Sequence, residues 1–352
     1  MSATSQKDSC VVFNTATFQE QIDSIAKPFI DQFQKINRGH LLFHSFFLGS
    51  LSAEFLLFSL FFSSFLQSMA MAFWLAGFFL TLFTYLVLLF YRQGRGPERL
   101  TQLRDEFIDT IHTCIPFDPG TLEYHCCITE SIVQFASQLR IAPIQSRFIQ
   151  ASETLSYLRE KFRIWSRWKS LLQLKEMLFL SSIEEHIRLI KSAPTDLEAH
   201  ASLASNYVAL ATLYQDPKKL THNENLVWTP PEYLSDEMRA QFERALERAL
   251  EEYQIIGEYA PDDPWVHAQK ASIYKELERF DDEQKEYELI LEIDPENRQI
   301  LMRLGKLYFL RGENAKGLLI YDQLRQVDIV SANEVIASYD AYPVEAYSFD
   351  HD

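Results

Sequence analysis

PDDPWVHAQKASIYKELERFDDEQKEYELILEID (residues 261–294) and PENRQILMRLGKLYFLRGENAKGLLIYDQLRQVD (residues 295–328) are consecutive stretches of equal length with shared landmarks. Pro261 and Pro295, the small residues Ala271 and Gly305, Tyr274 and Tyr308, and Tyr287 and Tyr321 are each 34 residues apart. That period is the size of a helix-turn-helix unit, which cannot bury its apolar face alone and stacks on its neighbours. The small residue lets the two helices of a unit touch, the aromatics fill the space between units, and the proline ends the second helix.

Working back from Pro261, Leu203, Ala204 and Tyr207 follow Pro194, and Ala249 and Tyr253 precede Pro261. From Pro194 to Pro261 is 67 residues, one short of two periods. Either one unit carries an insertion around residues 212–235, or two units are present and one has degenerated.

Over residues 194–328 these landmarks resemble the tetratricopeptide repeat family. Leu301, Leu304, Gly305, Tyr308, Gly317 and Tyr321 occupy the places of the family's W-x2-L-G-x2-Y, Ala and Phe. His267, Lys270, Ala271, Tyr274, Glu283 and Tyr287 hold the same places one unit earlier, with Lys270 and Glu283 departing from the apolar or small consensus. The resemblance implies an α-solenoid whose concave face, lined by the first helix of each unit, holds a peptide or a partner helix. Carried onto this sequence, the groove residues are Ala201, Ser202, Ser205, Trp265, Gln269, Ser272, Lys275, Arg303 and Lys306. Family members that clamp a terminal carboxylate use Lys and Asn in the first unit, where Ala201 and Ser205 stand here. Arg303 and Lys306 form a small basic spot, read either as a contact for an acidic or C-terminal group or as ordinary solvated helix surface.

Far upstream, residues 41–91 contain Glu54 as their only formally charged member. A membrane helix needs about 20 apolar residues, so this stretch fits two passes, about 41–66 and 72–91, joined at Gln67-Ser68. Lys27, Lys35 and Arg38 precede it and Arg92, Arg95, Arg99 and Arg104 follow it. By the positive-inside rule both ends face the cytoplasm. Glu54 at mid-helix is either functional, as in a small transport subunit, or paired by a serine, a dimer contact or a proton. Before the hairpin, Phe18, Ile22, Ile25, Phe29, Phe33 and Ile36 predict an amphipathic helix.

Between hairpin and repeats, Leu100, Leu103, Phe107 and Ile111 mark one helix ending near Pro116. A second helix is expected over Leu122 to Leu139, and a third helical region, continuous or broken, over Ile144 to Lys191. In the third, Arg159, Lys161, Arg163, Arg167, Lys169 and Lys175 interleave with Phe162, Trp165 and Trp168. They either lie against anionic headgroups or belong to a packed helix. His112, Cys114, His125, Cys126 and Cys127 lack the paired spacing of a zinc site, so no metal and no cofactor is expected.

Residues 193–352 carry 15 Lys and Arg against 32 Asp and Glu, whereas the whole chain has a net charge of −16. Such a domain repels a phosphate backbone, so nucleic acid is not an expected partner. No phosphate-loop, dinucleotide, zinc-peptidase or nucleophile-elbow signature occurs, and no enzyme activity is expected. Acidic pairs such as Asp262-Asp263 and Asp281-Asp282 are read as caps and solvated turns.

The expectation is all-α: a polar start and amphipathic helix (1–40), a transmembrane hairpin (41–91), a helical juxtamembrane region (92–192), tetratricopeptide-like repeats (193–328) and an acidic tail (329–352). The tail is either disordered, or caps the last unit, or occupies the solenoid's own groove. Such a chain would be a membrane-bound scaffold or adaptor that recruits a protein partner, seated in a bacterial inner membrane. Its hairpin behind an uncleaved polar N-terminus is also similar in pattern to the inclusion-membrane proteins that obligate intracellular bacteria secrete into a host vacuole membrane.

Overall fold

The computed structural model describes residues 15–60, 69–115, 117–118, 121–139, 153–215 and 230–339. Among these every regular element is helical, and the chain divides into two compact units, residues 1–192 with 213–238, and residues 193–212 with 239–352.

The first unit is built on α1 (Thr15–Leu60), α2 (Ala70–Cys114), α3 (Leu122–Gln138) and α4 (Glu153–Ser192). One helix runs from the amphipathic segment into the apolar stretch despite Pro28, and another runs out of it through Gly94, Gly96 and Pro97. Proline removes one backbone hydrogen bond, but packing on either side holds the helix. Ile22, Ala26 and Phe33 of α1 are buried together with Leu100, Leu103, Phe107 and Ile111 of α2, Ile128, Ile132 and Phe135 of α3, and Leu174 and Leu178 of α4. Phe107 stacks on Phe135 at 4.2 Å, and Phe29 meets both edge-on. Each such burial is worth about 1.5–3 kcal/mol, enough to carry a helix past one missing bond. α4 is likewise unbroken over its described length, while residues 144–152 lie outside the described residues.

Beyond this four-helix bundle, α1 and α2 continue as a pair whose apolar side chains face outward. Leu42, Phe46 and Phe73 are 68%, 70% and 76% exposed. Both helices are long and apolar enough to cross a membrane, and only 6% and 0% of their apolar windows is buried within the protein. The pair is fastened by contacts that fix its register. Phe58 stacks on Trp74 at 4.2 Å, the Trp74 indole N–H donates to the Glu54 carbonyl at 3.2 Å, and the Thr81 hydroxyl donates to Glu54 Oε1 at 2.6 Å. The expected turn at Gln67-Ser68 lies outside the described residues.

The second unit is a ladder of helix pairs. α5 (Leu197–Tyr214) and α6 (Asp236–Tyr259) make the first, α7 (Pro264–Glu276) and α8 (Phe280–Ile293) the second, and α9 (Arg298–Leu310) and α10 (Asn314–Val327) the third. Starts and ends of the second and third pairs are each offset by 34 residues. N-terminal caps recur in phase, with Asp263 accepting from the Trp265 N–H and Asn297 from the Ile300 N–H. The turn inside the second and third pairs uses a left-handed residue at matching positions, Glu278 (φ 57°) and Gly312 (φ 74°); only glycine adopts it without cost. Between Pro194 and Pro261 the described residues form one helix pair and a short 3-10 helix (Pro231–Leu234), and residues 216–229 lie outside them.

The start of the acidic tail caps the ladder. α11 (Ile329–Ile336), opened by Asp328 accepting from the Val330 and Ser331 N–H groups, buries Ala332 and Val335 against Gly305 and Ile320. Its last described residue, Tyr339, meets Phe309 edge-on at 5.3 Å. Tyr342, Tyr347 and Phe349 lie outside the described residues.

Candidate functional site

The first-unit residues that invite a metal are used otherwise. His112 Nδ1 is 2.5 Å from the Tyr124 hydroxyl and His125 Nδ1 is 3.1 Å from Glu185, whose other oxygen takes Arg188 at 2.5 Å. Among the described residues no group of three metal-ligating side chains occurs. Burial, with Glu130 nearby, pushes the Cys127 thiol up to about 11. It therefore holds about a hundredfold less thiolate than an ordinary thiol at the same pH. Iodoacetamide at pH 8 is expected to modify exposed Cys114 rapidly and spare Cys127 until the bundle unfolds; equal labelling by peptide mass spectrometry would contradict that burial.

In the second unit the residues expected to line the groove fall into three places. Trp265 is 46% exposed and stands edge-on to Tyr253 at 5.8 Å, on the seam between the first and second pairs. Ser205 is exposed there too, its hydroxyl donating to the Ala201 carbonyl at 2.9 Å, and it acts on the buried Tyr253. Ala201, Ser202 and Gln269 are half-buried, and Ser272 is exposed. Lys275 and Arg303 are exposed on successive first helices and meet through α8, since the charges of both act on Glu283. The charge of Arg303 acts on Tyr287 as well as on Glu283, so the three form one electrostatic relay. Lys306 turns instead to the cap, its ammonium 3.1 Å from Glu334. The expected basic spot is thus divided. Arg303 belongs to a relay with Tyr287 and Glu283, while Lys306 is neutralised by α11.

Glu283, a misfit at a position where the family places a small residue, is a working member of this relay. It is buried, its Oε2 has no hydrogen-bond partner, and burial raises its carboxyl above the usual range against the pull of Tyr287, Lys275 and Arg303. A raised carboxyl favours its protonated form in the folded state, so stability is present at low pH and lost as pH rises above the ordinary carboxylate range. Glu283→Gln, which keeps a neutral partner for Tyr287, is expected to raise the melting temperature at pH 7 by a few degrees and to lose that advantage near pH 4. A gain independent of pH would point to another cause. The relay was partly legible in sequence, because Glu283 and Tyr287 are four apart and share one face of α8; that Arg303 reaches them was not.

Two buried pairs have the same construction. His267 Nδ1 is 2.6 Å from Glu286 Oε2 and its Nε2 is 2.8 Å from the Pro261 carbonyl. His200 Nδ1 is 2.6 Å from Glu252 Oε2 and its Nε2 is 3.1 Å from the Pro194 carbonyl. In each unit one imidazole ties the first helix to the second and to the preceding proline turn. Lys270 joins the His267–Glu286 pair, 2.5 Å from Glu286 Oε1. The departure of Lys270 from the apolar consensus is thus answered by a buried partner. In the third unit Leu301, Leu304 and Ile320 replace the whole assembly with apolar contact.

No protein-family model and no curated protein matches the chain. Solved structures do. A thermophilic tetratricopeptide protein of Thermus thermophilus is similar at 15% identity and TM-score 0.31, over 69% of this chain and 98% of that one. MamA from Desulfovibrio magneticus is similar at 12% identity and TM-score 0.25, over 51% and 97%. A monomeric mutant of IFIT1, solved with Gppp-AAAA, is similar at 12% identity and TM-score 0.34, over 67% and 58%. The 34-residue offset of its own helix pairs makes the second unit a tetratricopeptide-like solenoid.

Proposed function

We propose that this protein is a two-pass membrane scaffold whose solenoid recruits a protein partner to the cytoplasmic face. The observation that carries the proposal is the outward-facing apolar band on α1 and α2. An apolar surface this long needs a cover, and its length suits the roughly 30 Å of a bilayer's hydrocarbon core. Orientation follows from Lys27, Lys35 and Arg38 on one arm and Arg92, Arg95, Arg99 and Arg104 on the other. Because both helices run without a break into the bundle, the bundle is held directly at the surface. Confinement there raises the effective concentration of whatever the solenoid binds, and no turnover is required. The groove relay around Arg303 offers exposed cations to an acidic stretch of protein, whereas the acidic domain around it disfavours a nucleic acid.

Two measurements test this. Alkaline carbonate should leave the chain in the membrane pellet, with protease added from the cytoplasmic side cutting both arms; release into the supernatant would defeat the anchor. Cross-linking from intact membranes should enrich a partner that Arg303→Glu loses at unchanged protein level. Identical recovery by both forms would remove the relay from the binding surface.

A further inference from the structure

At the end of the bundle next to the apolar hairpin the guanidinium of Arg38 is close enough for its charge to act on that of Arg167. Arg167, on α4, is 5% exposed, and its Nε has no hydrogen-bond partner. Burial lowers its guanidinium from the usual value, and the charge of Arg38 on α1 lowers it further. Among the described residues no carboxylate figures as an offsetting influence. One residue before Arg38, Asn37 is equally buried, and its Oδ1 also lacks a partner. A buried guanidinium without a counter-charge, next to a second guanidinium, is costly twice over, through lost hydration and through repulsion.

An oxyanion between the two would remove both costs. Guanidinium presents a planar fork of donors that matches phosphate, and charge-assisted bonds of this type are the strong ones. The position suggests where the phosphate comes from. Arg38 lies three residues before Leu41, where the apolar stretch of α1 begins, and Arg92 lies over the Phe43 ring at 4.8 Å, where that of α2 ends. Lys35, Arg95 and Arg99 are on the same arms and would concentrate anionic lipid nearby.

We propose that Arg38 and Arg167 form a binding site for the phosphate of an anionic lipid headgroup, which clamps the bundle to the membrane surface. The lipid as source rests on the membrane reading above; affinity for phosphate does not. The full chain in neutral detergent is titrated with short-chain phosphatidylglycerol, with phosphatidylcholine and with inorganic phosphate, following thermal unfolding and lipid retained in native mass spectrometry. The intact chain and Arg325→Gln, an exposed arginine of the second unit, should gain several degrees and retain phosphatidylglycerol, with affinity about tenfold lower in Arg38→Gln or Arg167→Gln. Arg38 is exposed, so Arg38→Gln keeps the test valid should Arg167→Gln fail to fold. Equal response to phosphatidylglycerol and phosphatidylcholine, or wild-type response in both site variants, overturns the site. Stabilisation by inorganic phosphate without preference for the lipid overturns the lipid assignment. Release of the chain by carbonate, with the phosphate response intact, would fault the membrane reading and leave an anion site standing.

Discussion

Glu286→Ile is expected to cost the second helix pair about 3–5 kcal/mol, the range seen when one partner of a buried ion pair is removed. The carboxylate takes His267 at 2.6 Å and Lys270 at 2.5 Å, and the side chains are only 9%, 9% and 15% exposed, so neither base can turn to water when it is gone. The third pair shows how to repair the loss. At the matching positions it carries Leu301, Leu304 and Ile320, packed in one apolar cluster. The triple variant His267→Leu/Lys270→Leu/Glu286→Ile copies that solution and is expected to recover most of the stability, because replacing a whole buried ion network by well-packed apolar groups is often neutral or favourable. Hydrogen exchange across α7 and α8 in the full chain reads both effects locally. If the triple variant stays as open as the single one, the network does more than satisfy itself.

Gly317→Ala is the second large effect, expected to cost about 1–3 kcal/mol through overpacking. A Cβ at that position would lie 2.5, 2.7 and 2.8 Å from three carbons of the Phe309 ring, closer than real contacts allow. The ring is 1% exposed and wedged against Tyr339, so it has nowhere to move. The family pattern has alanine here, and in this chain the phenylalanine has taken the methyl's space. Phe309→Leu should therefore make Gly317→Ala tolerable, and thermal unfolding of the double variant against each single one measures the coupling. Additive losses would mean the two do not compete for the same volume.

Which residues would matter was only partly legible in the sequence. Gly317 and Gly305 were visible as small residues in phase, but the reason each must be small, Phe309 for one and Val335 with Ile320 for the other, depends on helices that meet after folding. Glu283 and Lys270 read as defects because a consensus judges one position at a time. Their partners, Tyr287 and Arg303 for one and Glu286 for the other, are fixed by how the helices pack. That α1 and α2 run on past Leu41 and through Arg92 to Pro97 was not legible for a related reason. Local propensity disfavours Gly and Pro inside a helix by about 1 and 3 kcal/mol, and the sequence does not display the tertiary packing that outweighs it.

The 34-residue phase, the helical class, the long apolar stretch and the uneven charge can all be read along the chain, because each is a periodicity or a composition. That α1 and α2 pass unbroken from the bundle into the apolar pair is a result of folding. Folding joined His267 to Glu286 and His200 to Glu252 across 19 and 52 residues, and buried Arg167 within reach of the charge of Arg38. Those are pairings between distant segments, set by which faces are buried together, and burial is what makes a charge without a partner costly enough to matter.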